Sequence, residues 1–213
     1  MSLVLAVKSE TPDDAALVLA AEVLQSGGVV VYPTETLYGL GALATDGKAV
    51  GRIHALKRRE TAKPILVLAG SREQAASMAT QLTPAAEALM AAFWPGPLTL
   101  VLPVGDRFPA SLTQGRGTLG VRVPSNPLCL RLVALTGAPV TSTSTNVSGE
   151  PALLSVPAIR GAFGSGVDLY LDAGEIPPRA PSTVVDVTGT SPRLLRAGAV
   201  PLEALRQVAE ILE

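Results

Sequence analysis

The fold class predicted from this sequence is a mixed α/β sheet with helices packed on it, and three features carry that prediction. Apolar segments alternate between runs of β-branched residues and stretches with helical spacing. The segments "PLTLVLP" and "GTLGVRVP" read as neighbouring strands with no helix between them, which departs from a pure βαβ repeat. No Gly/Ser/Pro linker, charge block or repeat divides the 213 residues, so residues 1–213 read as one domain.

Taken in order, "TPDDAALVLAAEVLQSGG" is a helix with its punctuation. Thr11 is the expected N-cap, Pro12 suits the first helical position, Asp13 and Asp14 favour the positive end of the dipole, and Gly27 suits the exit. "VVVY" follows as a strand, and residues 46–58 carry Val50, Ile53 and Leu56 at helical spacing. "PILVLAG" (64–70) is a buried strand, and Ser71 with Gln74 forms a capping-box pair for the next helix. A further helix is expected over 83–93. Later strands are expected at 97–102, 117–123, 138–143, 167–171 and 182–187, and helices at 126–136, 156–163 and 200–212.

Composition narrows the function classes. The chain is 47% hydrophobic but only 3% aromatic, so its core must be built of Val, Leu and Ala. A formal charge of −1 argues against nucleic-acid binding by the whole surface, although local patches stay open. Cys129 is the single cysteine, which excludes an intramolecular disulfide and a cysteine metal cluster; in the apolar pattern "NPLCLRLV" it reads as a buried structural thiol. The apolar run in "MSLVLAVKSE" is too short for a signal peptide, and no stretch approaches about 18 apolar residues, so a soluble, cytoplasmic protein without membrane partners is expected. The chain contains no G-x-x-x-x-G-K-[ST] loop. His54 stands alone in mid-helix, without the G-x-S-x-G that a hydrolase triad of that kind needs.

The informative places are polar residues where a core is expected. "VVVYPTETLYGLG" (29–41) reads as a buried strand opening into a binding loop, with hydroxyls from Thr34 and Thr36 and close backbone approach at Gly39 and Gly41. Glu35 either caps the next turn or orients a basic side chain. In "GTLGVRVP", alternation puts Thr118, Gly120 and Arg122 on one face and Leu119, Val121 and Val123 on the core face. A lone arginine there also fits a solvated edge. "APVTSTSTNVSG" places Ser142, Ser144 and Asn146 on one face, where small hydroxyls and an amide suit a polar ligand; a capped Asn-Val-Ser-Gly turn is the alternative. "IHALKRRETAKP" gathers Arg52, Lys57, Arg58, Arg59 and Lys63, which suits phosphate at a sheet rim as well as a solvated helix end.

Seven segments in order, "VVVYPTETLYGLG", "LKRRETAKP", "FWPGPLTLVLP", "GTLGVRVPSNP", "STSTNVSGEPA", "PSTVVDV" and "LLRAGAV", give a chain that resembles YrdC-type threonylcarbamoyl-AMP synthases over roughly residues 15–200. The resemblance implies a single YrdC-like domain, a twisted open mixed sheet around a concave basic cavity (the YrdC/RibB-like fold). It implies the synthesis of threonylcarbamoyl-AMP and pyrophosphate from L-threonine, bicarbonate and ATP. A partner complex would then pass the threonylcarbamoyl group to adenosine 37 of tRNA, an indirect tRNA connection. Mg²⁺ is expected with ATP, held mainly by phosphate oxygens.

Carried over by motif, Lys57 and Arg59 match the Lys-x-Arg pair and Ser144 and Asn146 the Ser-x-Asn pair, the implied catalytic set. ATP binding is implied for these four and for Lys63, Thr118 and Arg196. Threonine binding is implied for Thr34, Tyr38, Arg122, Ser142 and Ser182, with Arg122 on the carboxylate. Two departures fall beside these residues: Glu60 follows the Lys-x-Arg arginine and Thr143 precedes Ser144, where the family often has proline. The alternatives are a double-stranded RNA or tRNA-binding module, and a nucleotide-binding paralogue without synthase activity.

Overall fold

A computed structural model of the protein describes residues 2–58, 65–177 and 179–213. Among them, ten strands form one sheet: β1 (Leu3–Ala6), β2 (Val30–Pro33), β3 (Tyr38–Gly41), β4 (Leu66–Leu68), β5 (Leu98–Pro103), β6 (Thr118–Arg122), β7 (Val140–Ser144), β8 (Leu169–Asp172), β9 (Thr183–Asp186) and β10 (Arg193–Arg196). Their spatial order is β1-β8-β2-β3-β7-β4-β6-β5-β9-β10. Parallel pairs (β1 with β8, β8 with β2, β4 with β6, β5 with β9) are mixed with antiparallel ones, including the expected neighbours β5 and β6.

The helices are α1 (Asp14–Gln25), α2 (Gly47–Leu56), α3 (Arg72–Met78), α4 (Pro84–Phe93), α5 (Ala110–Thr113), α6 (Pro127–Thr136), α7 (Val156–Phe163) and α8 (Leu202–Arg206). Their starts follow from local chemistry. Thr83 caps α4 by accepting from Ala86 N–H, and Asn126 caps α6 by accepting from Leu128 and Cys129 N–H; each is followed by proline at the first helical position. Ser71 accepts from Gln74 N–H, while Gln74 reaches back to Gly70 N–H rather than to the cap itself.

The cap of α1 is Asp13, whose carboxylate accepts from Ala15 N–H at 2.9 Å, so Thr11 and Pro12 lie outside the helix. A carboxylate at the positive helix end is favoured over a hydroxyl two residues upstream. The helix expected over 200–212 ends at Arg206, because the tail returns to the sheet. Leu194 N–H donates to Leu212 C=O and Leu212 N–H to Pro192 C=O, which leaves Ile211 buried.

Strand alternation divides the sheet into two faces. Val29, Val31, Leu40, Val67, Leu100, Leu119 and Val121 point into the larger core. Val30, Tyr32, Leu68 and Val140 point the other way and are covered by α1 and α6 through Leu17, Leu24, Leu128 and Leu132. Full burial of each such side chain contributes about 1.5–3 kcal/mol. Cys129 belongs to this second layer, where burial pushes its thiol up and Sγ donates to the Pro33 carbonyl. No helix among the described residues is long and apolar enough to cross a membrane.

Candidate active site

Helices α1 and α6 cover only part of their face of the sheet. Two residues along β7 from Val140 stands Ser142, then Ser144; two residues along β6 from Thr118 stands Gly120, then Arg122. This stretch, left without a helix among the described residues, floors a cavity of about 280 Å³ into which Lys57, Arg122, Ser142, Ser144, Asn146 and Ser182 project. A second cavity of about 590 Å³ adjoins it across Leu66 and Arg196 and is lined by Thr99, Arg116, Thr118, Gly120 and Asp186.

The segment 29–41 is a β-hairpin rather than a strand opening into a free loop. Val30 to Pro33 pair antiparallel with Tyr38 to Gly41, and Thr34 N–H donates to Leu37 C=O to close the turn. The Thr34 hydroxyl donates to the same carbonyl at 2.7 Å and accepts from Thr36 and Leu37 N–H. A threonine that replaces missing backbone partners in this way builds the turn. It lies on the cleft behind the turn, with Glu10 and Asn126, whereas Thr36 lines the cavity. Gly41 serves the hairpin's own packing: a Cβ there would sit 2.5 Å from the Tyr32 ring and 2.9 Å from the Thr141 carbonyl.

Glu35, at the tip, gains its place from the tertiary structure. Its Oε1 lies 3.4 Å from Arg122 Nη1, which also makes a long contact of 3.5 Å with Thr36 Oγ1. Arg122 is only 3% exposed. Both Glu35 carboxylate oxygens and Arg122 Nε are sealed from solvent without a hydrogen-bond partner among the described residues. The pair is therefore an ion pair with poorly aligned hydrogen bonds, in a place where desolvation is costly. Tyr38 borders the cavity from β3, but its ring is fully buried in the larger core on the other face of the sheet. Its hydroxyl donates to Gly174 C=O at 2.7 Å and accepts from Ala173 N–H, and burial pushes it up to about 12, so it stays neutral over the physiological range.

Lys57 ends α2 and is buried to 3% exposure. Its ammonium donates to the Ser144 carbonyl, to the Asn146 carbonyl at 2.9 Å and to Asn146 Oδ1 at 3.4 Å. Its own carbonyl accepts from Ser148 N–H. The Ser144 hydroxyl donates to Asn146 Oδ1, and Asn146 Nδ2 donates to the Glu150 and Val147 carbonyls. Lys57 thus staples the exit of β7, so that the hydroxyl and amide groups of 144–148 converge on the cavity.

On the opposite side, Arg196 grips the Ser182 carbonyl at 2.7 Å and the Ser182 hydroxyl at 3.1 Å, and that hydroxyl shares a 2.9 Å hydrogen bond with Thr99. Gly198 permits this docking: a Cβ there would fall 2.4–2.6 Å from the backbone of Pro181, Ser182 and Thr183. Burial, reinforced by the nearby positive charge of Arg122, holds the Arg196 guanidinium below its ordinary value. Two cations facing one cavity repel each other until an anion enters between them.

Of the residues singled out from sequence, Tyr38, Lys57, Arg122, Ser142, Ser144, Asn146, Ser182 and Arg196 line the first cavity. Thr118 lines the adjoining one and Thr34 the cleft behind the hairpin turn. Arg59 and Lys63 lie outside the described residues. Thr99, Arg116 and Asp186 went unread. Thr99 carried a signal, being a polar residue on the same strand face as Val101 in an otherwise apolar β5.

The family model for Sua5, YciO and YrdC, described as "Telomere recombination", matches residues 22–198. The chain belongs to this family. Threonylcarbamoyl-AMP synthase of Pyrococcus abyssi is 40% identical over 190 residues, 89% of this chain and 56% of that protein, so the chain spans little more than half of that relative. Threonylcarbamoyl-AMP synthase of Chromohalobacter salexigens is 38% identical over 178 residues, 84% of this chain and 95% of its own length. Among solved structures, P. abyssi Sua5 complexed with L-threonine superposes with a TM-score of 0.91 at 37% identity, covering 99% of this chain and 62% of that one. E. coli YciO superposes at 0.88 with 28% identity, covering 96% and 100%. The Sua5/YciO/YrdC fold is thus the mixed α/β sheet described above.

Proposed function

We propose that this chain is an L-threonylcarbamoyladenylate synthase, joining L-threonine, bicarbonate and ATP into threonylcarbamoyl-AMP and pyrophosphate for tRNA N6-threonylcarbamoyladenosine (position 37) modification. The observation that carries this reading is the buried Arg122 guanidinium in a hydroxyl-lined cavity that also holds Lys57 and Arg196. A small carboxylate and a polyphosphate find separate cationic partners there. The relatives named for this activity support it, and so does the Sua5 structure complexed with L-threonine.

In this reading the threonine carboxylate meets the Arg122 guanidinium, and the threonine side chain meets the hydroxyls of Thr36, Ser142 and Ser182. Thr34, whose hydroxyl is committed to the turn, supports the substrate through Thr36. The nucleotide extends from the Ser144–Asn146 loop and Arg196 into the larger cavity at Thr118. The threonine amine attacks bicarbonate, giving a carbamate and water. A carbamate oxygen then attacks the α-phosphorus of ATP, and pyrophosphate leaves. No covalent enzyme intermediate is required, so these residues act by alignment and charge neutralisation.

Mg²⁺ fits as a companion of the triphosphate, neutralising its charge. The first cavity offers hydroxyl and amide oxygens rather than a carboxylate cage, which suits a metal carried on phosphate oxygens. The tRNA acceptor enters through a separate transfer complex, and the cytoplasm is the proposed compartment. The protein incubated with ATP, bicarbonate and threonine is expected to release pyrophosphate only when threonine is present. Release indifferent to threonine overturns the assignment, and tight, steeply salt-dependent tRNA binding in its place favours an RNA-binding module.

A further inference from the structure

Resting on the synthase reading, we propose that Glu35 is a specificity-determining residue. Its buried carboxylate offsets the charge of Arg122, so that this subsite accepts a singly charged carboxylate and refuses a phosphate.

The cavity has to take two different anions, and arginine binds carboxylate and phosphate with the same fork geometry. Something besides the guanidinium must direct each anion to its place. Arg196 hydrogen-bonds to Ser182 and has no carboxylate partner among the described residues. Arg122 differs: Glu35 Oε1 stands 3.4 Å from its Nη1. Both carboxylate oxygens of Glu35 are sealed from solvent, so in this conformation neither water nor a substrate ammonium reaches them. Glu35 therefore acts through Arg122 and not on the ligand directly.

The turn fixes it there. The Thr34 hydroxyl ties Thr36 and Leu37 N–H, and Arg179 donates to the Glu35 carbonyl at 3.0 Å. A monoanion placed on the far edge of Arg122 meets one negative neighbour. A phosphate or phosphonate brings up to twice the charge to the same neighbour, across a poorly screened interior. A repulsive element built against the wrong ligand is a recognised route to selectivity. It also gives a role to a buried carboxylate that has no well-formed hydrogen bond.

The test is calorimetric titration of the wild type, Glu35→Gln and Glu35→Asp with L-threonine and with its phosphonate analogue, (1-amino-2-hydroxypropyl)phosphonic acid. Thermal unfolding and circular dichroism confirm that each variant is folded. The wild type is expected to prefer threonine by about 100-fold or more, and Glu35→Gln to narrow that preference at least about tenfold while binding threonine as tightly or more tightly. Glu35→Asp, which keeps the charge at shorter reach, is expected to fall between them and carries the test if Glu35→Gln does not fold. An unchanged preference in the folded variants overturns the inference alone. So does loss of threonine binding in both variants, since that makes Glu35 part of the binding machinery. A wild type that binds neither ligand overturns the synthase reading and this inference together.

Discussion

Arg122→Ala is expected to remove threonine-dependent pyrophosphate release by at least about 10³-fold and to destabilise the fold by about 3–5 kcal/mol. The two losses have different causes. Activity is lost because the cavity no longer holds a partner for the threonine carboxylate. Stability is lost because Glu35, whose carboxylate oxygens are sealed from water, remains as an uncompensated buried charge. The double variant Arg122→Met/Glu35→Gln separates them. It is expected to recover most of the stability in denaturant unfolding, since an apolar replacement of a buried ion pair is often neutral, and to recover none of the activity. Arg122→Lys keeps a charge but loses the fork, and is expected to bind threonine more weakly than wild type. A double variant as active as wild type contradicts the assignment of Arg122.

Lys57→Met is expected to lower kcat by about 10²–10³-fold while threonine affinity stays within about threefold of wild type. Lys57 is buried and donates to the Ser144 and Asn146 carbonyls, so its loss releases the loop that meets the nucleotide in the proposed reading. Carbonyls left buried without a donor cost about 1–3 kcal/mol, which a shift in the denaturation midpoint reads directly. Steady-state kinetics with each substrate varied in turn separates the two sides. A large rise in the KM for threonine with kcat unchanged contradicts the placement of Lys57 with the nucleotide.

The sheet was legible in the sequence wherever apolar alternation ran for several residues. Leu119 and Val121 on one face, with Gly120 and Arg122 on the other, follow directly from the two-residue period of a strand. The same period found Ser142 and Ser144. What escaped were short elements whose stability comes from neighbours. Strand β3 is Tyr-Gly-Leu-Gly, poor in β propensity, and holds because it sits between β2 and β7. Strand β1 is four residues and pairs with β8 at one sheet edge, while β10 lies at the opposite edge against β9.

In the site, Glu35 defied reading because its partner is 87 residues away and the two meet only when the hairpin turn folds against β6. Thr34 and Thr36 are equivalent in sequence, and the turn decides which hydroxyl is spent on backbone and which faces the cavity. The staple role of Lys57 likewise depends on the path of the 144–148 loop, which no local pattern specifies.

In the proposed reaction two adjoining cavities join three substrates through a carbamate, and isotopic labelling tests this most directly. The protein, incubated with ATP, L-threonine and ¹³C-bicarbonate, is expected to form a product whose mass contains AMP, threonine and one labelled carbon, with pyrophosphate released in equal amount. An adenylate of threonine without the label, or ATP turnover that yields no threonine-containing nucleotide, contradicts the account.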